Sequence, residues 1–145
     1  MRIEQLKSVT SARLKVIGLD AAPRTAAFLF SRPGVGLVVV SHENGAAAGV
    51  LSKSDLIRHL ADPGPADTTV SALMTQPIVS CRPDDDIHSV WQDMAAQTLQ
   101  NVPVLDATSK PLGILDIRDA MKALFEQEEL QERMLANYIA GIGYQ

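Results

Sequence analysis

The feature that most constrains this chain is an internal repeat. Displacing the sequence by 64 positions superposes Val38 on Val102, Val40 on Val104, Gly49 on Gly113, Leu51 on Leu115, Asp55 on Asp119 and Leu60 on Leu124, with no gap. Asp20 and Asp84 fall on the same offset. A repeat of this length means that one supersecondary unit is used twice and must bury its apolar face against its copy. The unit reads strand, turn, strand, helix. In the first copy, Gly36 to Val40 is an apolar, β-branched run of the kind that forms a buried strand. Asn44-Gly45 is a hairpin signal, because both residues tolerate positive φ. Ala47 to Leu51 returns as the partner strand, and Ser52 caps a helix to about Leu60.

The segments around these units complete the reading. Ile3 to Val9 has helical spacing, Leu14 to Ile17 reads as a short strand, and residues 22–31 read as a helix with Pro23 in its first turn. Residues 61–69, rich in proline and glycine, read as a linker between a first repeat at 1–60 and a second at 70–125. The second repeat is expected to run as a helical turn at Val70 to Met74, a strand at Ile78 to Cys81, a helix from Asp84–Asp86 through Leu99, and strands at Val102 to Leu105 and Leu112 to Leu115. Pro103 inside a strand marks an edge or irregular position. Trp91 and Met94 read as core. The last helix is expected from Asp116 to about Ala140, stopped by Gly141 and Gly143, so that residues 126–145 form an extension without a counterpart in the first repeat. Its apolar positions are Leu130, Met134, Leu135, Tyr138 and Ile139. They call for a partner helix in a homodimer or a fold back onto the same domain.

Composition narrows the function classes. The 145 residues carry a net charge of −4, which disfavours a nucleic-acid surface. A single cysteine, Cys81, excludes an internal disulfide framework, and no apolar run is long enough to span a membrane, so a cytoplasmic location is expected. His42, His59 and His88 show no metal-ligand spacing with Cys81, and no catalytic constellation is visible. The chain reads as a non-enzyme.

Chemistry concentrates at Ser52-Lys53-Ser54-Asp55 and at its copy, Asp116-Ile117-Arg118-Asp119. The local reading is a capping box, in which Ser52 caps the helix and Asp55 reaches back. The same atoms also suit a nucleotide: a hydroxyl and free N–H groups at a helix start bind phosphate, and a carboxylate one turn on accepts from a ribose diol.

These units, GVGLVVV…NG…GVLSKSD in the first half and SALMTQPIVSCRPDDDI…NVPVLD…PLGILDIRD in the second, resemble the CBS domain, named for cystathionine β-synthase. The resemblance covers about residues 3 to 125 and extends to LANYIAG in the tail, which is similar to the ends of small stand-alone bacterial CBS-pair proteins. It implies an α+β fold: two β-α-β-β-α repeats related by a pseudo-twofold axis, the Bateman module, with two clefts. It further implies adenine-nucleotide ligands (AMP, ADP, ATP, NAD(H) or S-adenosylmethionine), no required cofactor, and regulation of a partner protein. By that resemblance Asp55 or Asp119 would hold the ribose and Ser52 with Lys53 the phosphate. Residues near Val16, Ile17, Ser80 and Cys81, with the strands beginning at Gly36 and Asn101, would flank the adenine. Three departures bear on this. Asp116 stands where a hydroxyl residue is usual, Ser54 where many members have arginine (Arg118 keeps it in the second half), and Gln100-Asn101 where a basic pair is common. A carboxylate at 116 repels a phosphate beside it. The first cleft is therefore expected to be the better nucleotide site. The alternative is a structural dimerisation module whose clefts no longer bind.

Overall fold

The computed structural model describes residues 1–143. A 3-10 turn at Ile3–Leu6 leads into α1 (Lys7–Ala12), then β1 (Val16–Gly18), α2 (Pro23–Phe30), β2 (Val38–Ser41), β3 (Ala47–Leu51) and α3 (Lys53–Ala61). The second half continues as α4 (Val70–Leu73), α5 (Ile87–Ala96), β4 (Asn101–Leu105), β5 (Pro111–Asp116) and α6 (Ile117–Gly143). The first sheet has the order β1-β2-β3, with β1 parallel to β2 and β2 antiparallel to β3. The second sheet pairs β4 with β5 in the same antiparallel register, Val104 opposite Gly113 as Val40 is opposite Gly49.

The two halves differ where a strand was expected at Ile78 to Cys81. Only a single parallel bridge forms there, between Cys81 and Val104. The cause is Pro103. In the first half the Val39 N–H donates to the Lys15 carbonyl at 2.9 Å. On the 64-residue offset Pro103 replaces Val39, and proline has no N–H to give to Val79. What survives is Cys81 N–H to the Pro103 carbonyl, 3.0 Å, and Leu105 N–H to the Cys81 carbonyl, 2.9 Å.

Side-chain alternation along the strands builds three cores. Val38 and Val40 face α2 and α3, packing with Ala26, Phe30, Leu51 and Leu56. Val102, Val104 and Leu115 do the same with Ile87, Met94 and Ala120, and Trp91 packs at the edge. Val39 points the other way and meets Leu37 and Ile114, so the opposite faces of the two sheets join the halves. Val38, Val39 and Val40 are fully buried, and each contributes about 1.5–3 kcal/mol on burial.

The leading segments are exchanged. Val70, which precedes the second repeat, is buried in the first core, while Ile3 and Leu6 pack in the second. Backbone hydrogen bonds fix both crossings: Val70 N–H to Ala21 and Ser71 N–H to Leu19 on one side, Ile3 N–H to Asp85 and Glu4 N–H to Pro83 on the other. Gly49 and Gly113 record the same exchange. A Cβ on Gly49 would lie 2.6 Å from Met74 Sδ, and one on Gly113 would lie 2.7 Å from the Thr10 backbone carbon.

α6 passes through Gly141 without a break, so that glycine does not stop it. An interior glycine costs a helix only about 1 kcal/mol, and without a left-handed cap it is no terminator. Residues 144 and 145, beyond Gly143, lie outside the described residues. Because the helix is continuous, its distal half cannot fold back on its own domain. Leu130, Met134, Leu135, Tyr138 and Ile139 are all more than half exposed.

Candidate functional site

Ser52 sits at the start of α3 with extended backbone and closes the expected capping box. The Asp55 N–H donates to Ser52 Oγ at 3.3 Å, and the Ser52 N–H donates to Asp55 Oδ2 at 2.8 Å. Asp55 is buried, with Arg58 Nη1 donating to Oδ1 at 3.2 Å and the Thr75 hydroxyl within 3.5 Å. Against Asp55 lies a chamber of about 200 Å³, lined also by Leu37, Val50, Ser52, Thr75, Pro77 and Val79. It shares Leu37, Ser52, Leu99 and Asn101 with a wider cavity of about 660 Å³ that carries Lys53, Ser54, Gln100 and Arg118 at its rim. The first cleft is thus in two parts, an apolar inner chamber with one carboxylate and a polar mouth with two cations. The helix starts of α3 and α6 both open on that mouth. Asn101 is positioned by Gly36, where an added Cβ would lie 2.6 Å from Asn101 Nδ2.

The second copy of the motif is arranged differently. Asp116, at the end of β5, is buried and accepts from the Arg118 N–H at 2.8 Å, so it caps α6 as expected. The Arg118 guanidinium grips the same carboxylate, Nε to Oδ1 at 3.0 Å and Nη2 to Oδ2 at 2.8 Å. Burial pushes the Asp116 carboxyl up, but these hydrogen bonds outweigh it and hold the pKa below its ordinary 3.8. Asp119 is occupied as well. Arg13 donates from Nε to Oδ2 at 2.6 Å and from Nη2 to Oδ1 at 3.2 Å, and from Nη1 to the Gly34 carbonyl at 3.1 Å. The hydrogen bond to Asp119 raises the Arg13 pKa further. Both carboxylate oxygens that could face a ribose in this cleft therefore already hold a guanidinium.

Of the residues singled out in the sequence, Ser52, Lys53, Asn101 and Arg118 line the wider cavity, and Ser52, Asp55 and Asn101 the inner chamber. Asp116 and Asp119 line neither and are engaged in ion pairs. Ile17 does not reach the clefts. It alternates inward between exposed Val16 and Gly18 and belongs to the first core. Ser80 is exposed and lines neither cavity. Thr75, Pro77 and Val79 were missed. They belong to the segment after α4 and line the Asp55 chamber because the leading segments cross between halves. Arg13 was also missed, yet it falls opposite Pro77 on the 64-residue offset, and that equivalence is the signal that would have found it.

Comparison with known proteins agrees with the fold. A family model described as "CBS domain" matches residues 6–62 and 70–126. The chain belongs to the CBS-domain family. The CBS pair of protein MJ0100, solved with 5'-methylthioadenosine and S-adenosyl-L-methionine, is similar over 88% of this chain and 98% of that one, with a TM-score of 0.72 and 19% identity. A CBS-domain protein from Pyrobaculum aerophilum complexed with AMP covers 82% and 89%, with a TM-score of 0.71 and 22% identity. A CBS-domain-containing protein from Agrobacterium tumefaciens is 25% identical over 85% of this chain and 98% of its own, with a TM-score of 0.70. Among curated sequences, an uncharacterized protein of Methanopyrus kandleri is 22% identical over 66% of this chain and half of its own length. An uncharacterized protein of Acidianus ambivalens is 20% identical over 96% and 84%. Among the described residues, no helix of this CBS pair is long and apolar enough to cross a membrane.

Proposed function

We propose that this CBS pair is a non-catalytic regulatory module that binds an adenosine-containing ligand in its first cleft and acts as a homodimer on a partner protein. The observation that carries the reading is the two-part first cleft. Asp55 overlooks an apolar chamber sized for a base and sugar, and Lys53 and Arg118 stand at the mouth where phosphates or a charged tail would lie. Asp55 already accepts from the Ser52 N–H, from Arg58 and from the Thr75 hydroxyl, so of the roughly four acceptor sites of its carboxylate one stays open to a ribose hydroxyl. AMP, ADP, ATP, NAD(H) and S-adenosylmethionine are the candidate ligands. MJ0100 and the P. aerophilum protein, complexed with adenosine compounds, support that class. Regulation requires that the ligand favour one packing of the halves over another, since binding that is equal in both shifts nothing.

The alternative is a structural interaction module. One observation favours it: all three carboxylates of the two motifs already have protein partners. A thermal-shift panel with the five ligands separates the readings. At 100 times its dissociation constant a ligand adds about 2.7 kcal/mol, which raises Tm by roughly 5–10 °C. The sensing reading expects one such ligand, with its shift abolished by Asp55→Ala and retained in Asp119→Ala. No shift with any ligand, or the reverse pattern in the two variants, overturns it.

A further inference from the structure

A large cavity lies outside the first cleft. It encloses about 680 Å³ between α1, α2 and the segment leading into β2, with Val9, Ala12, Phe28, Leu29 and Val35 as its apolar walls. Ligand pockets usually measure roughly 300–1,000 Å³, so this one has room for a small organic molecule. Phe28 and Val9 are 59% and 38% exposed although both line a concave wall, so apolar surface there is open to a ligand.

The cavity carries charge of one sign. Arg13, Lys15 and Arg32 line it, and among the described residues no aspartate or glutamate does. The chain has 17 acidic side chains against 13 lysines and arginines, so cations without a carboxylate are a local excess. Arg13 is engaged by Asp119, yet its bonds to Asp119 and to the Gly34 carbonyl leave an N–H on each terminal nitrogen. Lys15, which is half-buried, and Arg32 form no ion pair among the described residues. The Arg32 guanidinium lies over the Phe28 ring at 5.0 Å, which sets a fork of donors beside an aromatic surface.

The repeat distinguishes this pocket from the Asp55 chamber. On the 64-residue offset Arg13 and Lys15 take the places of Pro77 and Val79, two apolar walls of that chamber. Phe28, Leu29 and Arg32 correspond to Gln92, Asp93 and Ala96, which line neither part of the first cleft. Asp116 and Asp119 do not line the pocket, so it presents no carboxylate to a ribose.

The geometry points to a second, chemically different ligand site in this pocket, one for a small aromatic carboxylate held with its ring against Phe28 and Val9 and its charge between Lys15 and Arg32. A planar ring packs on the aromatic and aliphatic walls, and a carboxylate matches the guanidinium fork. An inorganic anion would leave the walls uncovered, and a neutral ring would leave the cations unpaired. The site does not rest on adenosine binding in the first cleft. Through Arg13 its occupant would stand beside the clamp on Asp119.

Calorimetric titration of naphthoate into the full chain tests the assignment. A single equivalent is expected to bind. Naphthalenemethanol, the same ring without the charge, should bind at least about tenfold more weakly, as loss of a charge-assisted pair predicts. Arg32→Glu and Phe28→Ala, both at exposed positions, should each weaken naphthoate by about tenfold while any AMP-induced rise in Tm stays as in the parent. Asp55→Ala should leave naphthoate binding in place. No heat at millimolar naphthoate overturns the site. Equal binding of the alcohol overturns the carboxylate as its ligand. Affinity that falls with Lys53→Glu and not with Arg32→Glu moves the ligand to the first cleft and overturns the pocket. Displacement of naphthoate by AMP in Asp55→Ala protein makes the pocket a nucleotide subsite and overturns the assignment. The thermal-shift panel decides the first cleft separately, so failure of one reading is distinguishable from failure of the other.

Discussion

Replacing Arg13 with alanine releases the carboxylate of the second cleft. The pair it breaks is bidentate, at 2.6 and 3.2 Å, with the two side chains 24% and 19% exposed. A fully exposed pair contributes up to about 1 kcal/mol, while charge-assisted hydrogen bonds removed from water contribute about 1.5–3. Intermediate exposure places this pair at about 1–2 kcal/mol, or a fall in Tm of roughly 3–6 °C. A ligand whose ribose needs Asp119 must first displace Arg13 and so binds about 5–30-fold more weakly than it otherwise would. Arg13→Ala removes that competition. Titration calorimetry with AMP and with S-adenosylmethionine should then read two ligands per chain where the parent reads one, despite the lower basal stability. Unchanged stoichiometry, or weaker binding at the second cleft, would refute the argument and make Arg13 a phosphate contact.

The geometry makes three further outcomes testable. Asp116→Asn should lower Tm at neutral pH. Because the folded pKa of Asp116 lies below its ordinary 3.8, its contribution is complete above that value and is lost as pH falls through the folded pKa. The Tm gap between parent and variant should therefore close as the pH is lowered through that range, and a gap independent of pH would contradict it. Gly113→Ala should cost about 1–3 kcal/mol in urea unfolding, since its Cβ meets Thr10 backbone, and Gly49→Ala should cost less, since Met74 Sδ can move aside. Pro103→Val restores an N–H opposite Val79, so the new amide at residue 103 should be protected from hydrogen exchange, and an amide there that exchanges at the unprotected rate would count against the proline as the cause.

Much of the fold was legible because the repeat is gapless and its strands are apolar on both faces. Val38 to Val40 and Val102 to Leu105 could only be interior, and the structure puts helices on one side and the other repeat on the other. The capping chemistry of Ser52, Asp55 and Asp116 was also local and readable. What escaped was non-local. The truncated strand at Cys81 depends on a proline 22 residues away, the Arg13–Asp119 clamp closes across 106 residues, and the Thr75 contact with Asp55 depends on which half a leading segment joins. Gly141 misled because composition at a helix end was weighed without the backbone conformation that makes a glycine a cap.

The exchange of Ile3 and Val70 between cores gives the chain the logic of a knot tied from two loops. Neither repeat carries all the parts of its own interior, so a fragment holding one repeat would expose the socket meant for the other's leading segment. Chain breaks within residues 61–67 should therefore leave two pieces that stay associated. A shift of one repeat against the other has to move both interiors at once, since each holds the other's leading segment.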